Sequence, residues 1–153
     1  MINNFFNIRI IIVIPIIYFI FLKQSYSNEF DNVSACAGVV MGEGATELRD
    51  LQNEENFDDA FELAIKAFYG EGLSKKRSEE DIVIAENIIA SNVDKIYMQP
   101  EWTAEVYEEV IRCYRILGLK VLEKSNLIKN NINMINQYIN KYKSRLKRMI
   151  NAG

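Results

Sequence analysis

A chain of 153 residues with 18 basic and 21 acidic side chains, a formal charge of −3 and 49% apolar residues has the composition of one folded domain, not of a disordered or collagenous segment. It contains no histidine, which removes the commonest neutral-pH acid/base and metal ligand and with it His-based triads and di-iron Glu-x-x-His sites. Its only cysteines, Cys36 and Cys113, form neither a haem-attachment nor a paired redox motif.

Residues 1–27 read as a signal peptide. Arg9 supplies the basic start, Ile10 to Leu22 is an apolar run, and Ser25-Tyr26-Ser27 places small residues where a signal peptidase cuts. The run falls short of the roughly 20 residues a spanning helix needs, so an anchor extended toward Phe5 is the secondary reading. A lipoprotein box at Val33-Ser34-Ala35-Cys36 is disfavoured, because Lys23, Glu29 and Asp31 separate it from the apolar run. The expected location is periplasmic or secreted. In that compartment Cys36 and Cys113 are expected to form one structural disulfide, since neither a second nearby cysteine nor a histidine is present to activate a thiolate.

Residues 28–153 are expected to be a single all-α domain: a four-helix body over 33–122 and a basic amphipathic helix over 126–150. The first helix, Val33 to Leu51, starts from Asp31 or Asn32 as N-cap and buries Val33, Ala37, Val40, Gly44, Leu48 and Leu51. A second stripe of Ala35, Gly38 and Gly42 lies behind that face, which predicts close helix packing. Gly42-Glu43-Gly44 lacks the lysine and the preceding strand of a phosphate loop.

The second helix opens at Asn56, carries Phe57, Phe61, Ala64, Ile65 and Phe68 inward, and ends at Gly70. Gly70 to Arg77 is read as a solvated loop with a basic tip. Ser78 and Asp81 form a capping box for a third helix reaching Tyr97, with Ile82, Ala85, Ile89, Val93 and Ile96 on one face. The short connection at Pro100 predicts that the third and fourth helices pack as antiparallel neighbours.

The fourth helix, Pro100 to Leu122, shows two apolar stripes. Trp102, Val106, Val110, Cys113 and Leu117 form one; Tyr107, Ile111, Tyr114 and Gly118 form the other. It is therefore expected to be the central helix, with Glu101, Glu105, Glu108, Arg112 and Arg115 as its solvated salt-bridge face. That grouping also argues against a carboxylate pair poised for hydrolysis.

The charge then inverts. From Leu119 onward eight basic residues face one acid, whereas Asn28 to Gly118 holds eight basic residues and 20 acids. Ile128, Ile132, Ile135, Ile139, Tyr142, Leu146 and Met149 alternate steps of four and three, a heptad seam. The leading expectation is that this seam packs on the body with its basic flank toward the acids. The alternatives are an anionic membrane surface, or a partner helix or second copy taken along the seam. Lys129, Lys141, Lys143, Arg145, Lys147 and Arg148 are the candidate interaction surface. Export and the acidic body disfavour nucleic acid. No catalytic residue, cofactor site or metal site is assigned. The function expected is that of a noncatalytic binding or structural module whose partner the residues do not identify, with a carboxylate-dependent hydrolase or transferase as the alternative.

Overall fold

The computed structural model describes residues 29–152; the expected signal segment lies outside them. The described residues are all-α, in six helices: α1 (29–51), α2 (Glu54–Ser74), α3 (Glu79–Tyr97), α4 (Ala104–Glu123), α5 (Ser125–Asn130) and α6 (Ile132–Ala152). The expected C-terminal helix is thus divided at Asn131, whose amide Nδ2 donates to the Leu127 carbonyl at 2.9 Å.

The helix at the centre is α1, not α4. From Val33 to Ala45 every residue but Ala35 is buried, so α1 is covered on all sides. Its small residues make this possible. A Cβ on Gly38 would strike the Ile89 carbonyl and lie 2.7 Å from the Asn92 Cβ; one on Gly42 would lie 2.8 Å from the Ile96 Cβ. Glycine is disfavoured inside helices by about 1 kcal/mol against alanine, and here it lets the α3 backbone approach the back of α1. On the other sides, Gly44 abuts Ala60 of α2, Phe30 stacks on Phe68 at 5.3 Å, and Cys36 meets Cys113 of α4.

Helices α2, α3 and α4 meet α1, and α6 joins α2 to α3 so that these four link into a ring. Helix α2 packs against both α4 and α6. Helix α6 reaches α3 where the Tyr142 hydroxyl donates to Glu86, and α3 reaches α4 through the Lys95–Glu109 ion pair at 3.2 Å. The expected antiparallel packing of α3 on α4 is therefore corrected: α1 stands between them, and no extended interface joins the two. Of the second stripe predicted for α4, Tyr107 and Ile111 are exposed, by 54% and 59%, because the helices that were to cover them are gathered around α1 instead, whereas Tyr114 packs against the core.

The caps show how the local sequence sets each boundary. Asn53, and not Asn56, caps α2 by accepting from the Asn56 amide at 3.1 Å. Gly70 does not end that helix, which continues to Ser74; Ile128 packs over Gly70 at 3.1 Å from where a Cβ would sit. The Ser78/Asp81 box opens α3 as expected. Thr103 caps α4, leaving Pro100 in the preceding turn and not in the first turn of the helix. Asp31 and Asn32 lie inside α1 and are not its N-cap. The core is then filled mainly by the bulky α2 face, Phe57, Phe61, Ile65 and Phe68, with Ile96, Leu117 and Ile135.

The cysteine pair has its Cα atoms 4.8 Å apart, a span a disulfide bridges, and both side chains are buried.

Two outcomes follow. Gly38→Ala drives a Cβ into the Ile89 backbone carbonyl and should cost about 2–3 kcal/mol in chemical denaturation, whereas Gly118→Ala, with nothing within 4 Å of the added carbon, should add about 0.5–1 kcal/mol. The Cys36→Ala/Cys113→Ala pair, which opens a sequence separation of 77 residues, should lower stability by about 4 kcal/mol. Thiol trapping with reductant should label the wild type only once denaturant opens the core.

Candidate functional site

Helix α6 carries the residues singled out by charge, and the structure sorts them into two sets. Its apolar seam faces inward: Ile128 of α5 and Ile135 and Ile139 of α6 are buried, and Ile132, Tyr142 and Leu146 pack against the core. Only Met149 remains exposed, so the seam is not open to a second copy as it stands. On the flank toward α2, Lys143 pairs with Asp58 at 2.7 Å, and Lys147 pairs with Glu54 at 3.7 Å while lying over the Phe57 ring. Lys141, Arg145 and Arg148 share the outward face at steps of four and three, are exposed, and make no ion pair among the described residues. The Arg148 guanidinium instead donates to the Ser144 carbonyl, a contact within its own helix. Lys129 is exposed on α5, across the break at Asn131.

Two clefts open elsewhere on the surface. One, of about 500 Å³, lies between the end of α1 and the α3–α4 connection, with Glu47, Asp50, Glu101, Trp102 and Tyr107 in its wall. Asp50 there is bound to Arg49, and no three Cys, Asp or Glu residues converge to hold a metal ion among the described residues. The other, of about 550 Å³, lies between α2, α3 and α6, with Tyr69, Ile82, Glu86, Met134 and Tyr138 beside the basic residues Lys76 and Arg77 of the α2–α3 turn.

Two buried carboxylates escape a reading by motif. Glu43 projects from the central helix, accepts the Tyr114 hydroxyl at 2.7 Å and the Asn56 amide at 2.9 Å, and is nearly covered. Burial pushes its carboxyl above the usual carboxylate range; the two hydrogen bonds oppose this, and the charge of Glu47 adds to it. The signal was present in the spacing, for Glu43 lies seven residues after Cys36 and so faces α4 with it. Glu71 is 0% exposed, with Lys75 at 3.8 Å and Lys124 at 3.9 Å, distances that pair the charges without hydrogen bonds. Lys75 and Lys120 both reach Glu29, at 3.5 and 2.5 Å, which extends the network across α1, α2 and α4. These groups tie helices together. Neither Glu43 nor Glu71 lies in the wall of these two clefts.

The α4 face expected to be a salt-bridge strip is solvated but unpaired: Glu105, Glu108 and Arg115 are exposed and form no ion pair among the described residues. No helix among the described residues is long and apolar enough to cross a membrane.

Because the folded-state pKa of Glu43 lies above its unfolded one, the stability it lends is present at low pH and is lost as pH rises through the folded value. Glu43→Gln, neutral throughout, should therefore gain on the wild type between about pH 4 and about pH 7, read as the difference in thermal midpoint at each pH. An unchanged difference would show that the Glu43 carboxyl ionises in the fold without penalty. Comparisons of the chain with protein-family models, with curated proteins and with solved structures find no match.

Proposed function

We propose that this protein is an exported, noncatalytic helical module that binds an acidic partner protein through the outward face of α6. The observation that carries the reading is the division of the basic residues: Lys143 and Lys147 are paired to α2, whereas Lys141, Arg145 and Arg148 are exposed and form no ion pair among the described residues. Three cations without an ion pair over two turns of one helix form a surface suited to acidic groups on a second macromolecule. The buried cysteine pair supports an oxidising compartment.

A membrane surface is the weaker reading, because an interfacial helix needs an apolar face to insert and the α6 seam is spent on the core. Truncation of α6 is not an informative test, since Ile135 and Ile139 would leave a hole in the fold. The test is Lys141→Glu/Arg145→Glu/Arg148→Glu. The variant should keep its thermal midpoint within about 3 °C and weaken capture of the partner from the exported fraction by about tenfold or more, while the wild type sediments little with anionic vesicles. Unchanged capture by the variant overturns the assignment. Strong vesicle binding lost in the variant moves it to the membrane.

A further inference from the structure

We infer that two copies of this chain associate through α4, packed antiparallel along Tyr107, Ile111, Gly118 and Leu122. These positions follow one another at steps of four, seven and four and so make a single stripe. Its three side chains are largely exposed, Leu122 by 72%, and the α4 face used by the core is a different one, Val106, Val110, Cys113 and Leu117.

Gly118 is the second observation. Of the six helical glycines, Gly38, Gly42, Gly44, Gly70 and Gly72 each stand where another element comes within 3.1 Å of a would-be Cβ. In this fold an internal glycine marks a close contact. Gly118 has nothing within 4 Å, so within one copy it has no such role. It is a notch on an apolar stripe, open to the outside.

The charges choose both the occupant and its direction. Glu108 and Arg115 flank the stripe, are exposed, and have no ion pair among the described residues. They lie two turns apart, about 10.5 Å along the axis, too far to meet each other. A parallel two-fold pairing sets Glu108 level with Glu108 and Arg115 level with Arg115. An antiparallel pairing centred between Ile111 and Arg112 sets each Glu108 opposite Arg115 of the other copy. In that register Ile111 meets Ile111, each Tyr107 enters the notch between Tyr114 and Gly118 of the other copy, and Ala104 lies against Leu119 and Leu122. The stripe carries its own knob, its own notch and both charges, so a second copy is the surface that complements it.

The test is sedimentation equilibrium of the disulfide-bonded protein from about 1 to about 300 µM, a range that covers weak helix-on-helix association. The wild type should show a monomer–dimer equilibrium in this range. Gly118→Leu, which fills the notch, and Arg115→Glu, which sets acid against acid, should each raise the dissociation constant about tenfold or more. Glu108→Arg/Arg115→Glu should return it to within about threefold of wild type, because the pairs are re-formed with their signs exchanged. Circular dichroism checks that each variant is folded, and all these sites are on the surface. A wild type that stays monomeric throughout overturns the inference and leaves the stripe to another protein. A dimer indifferent to both single variants, or one the exchange does not restore, overturns it as well.

Discussion

Enclosing a helix on every side is the constraint from which the rest of this structure follows. A helix with one apolar stripe needs one neighbour, but α1 is buried nearly all round and needs a ring of them. Bulky side chains on all faces would hold those neighbours apart. Gly38, Gly42 and Gly44 solve this by letting α3 and α2 approach the α1 backbone, while Cys36 fixes α4 on another side. The large side chains that fill the volume come from the ring: Phe57, Phe61 and Phe68 of α2, Leu117 of α4 and Ile135 of α6. Small residues thus stand where α2 and α3 cross α1, and the largest fully buried side chains come from the helices around it.

Electrostatics follows from the same arrangement. The acidic α2 and the basic α6 are adjacent in the ring, and two of the cations of α6 are used to join them. Surface pairs of this kind contribute little individually, so their value lies more in choosing which face of α6 turns inward than in stability. A helix whose seam and flank are both engaged presents only its outer face. For that reason the three remaining cations, and not the apolar heptad, carry the proposed recognition.

Much of this was legible from spacing and local chemistry, and the failures have a common cause. Helix α3 was readable in full, because Ser78 and Asp81 cap it and its apolar residues recur on one face. The buried stripe of α4, the inward turn of the α6 seam and the pairing of Cys36 with Cys113 were readable likewise. Centrality was not. The Gly38 and Gly42 stripe predicted close packing, yet a glycine adds no apolar surface to a wheel, so α1 looked less buried than α4. Conversely, Tyr107 and Ile111 count as apolar wherever they point. Gly70 looked like a terminator because its neighbour Ile128, which occupies the space above it, lies 58 residues away in sequence. Of the candidate surface, the charges were legible one by one, but which of them would be neutralised by Asp58 and Glu54 depended on the ring.

The position of α1 in the chain has one more consequence. It is the first of the described helices to be synthesised, and its α3 and α4 sides are covered only when Ile89, Ile96 and Cys113 follow. Until those residues have emerged, a helix with apolar surface on several sides has no complete enclosure, and Cys36 has to wait 77 residues for its partner. The fold is therefore assembled by late, long-range contacts, and a growing chain passes through a stage in which its future centre is still uncovered.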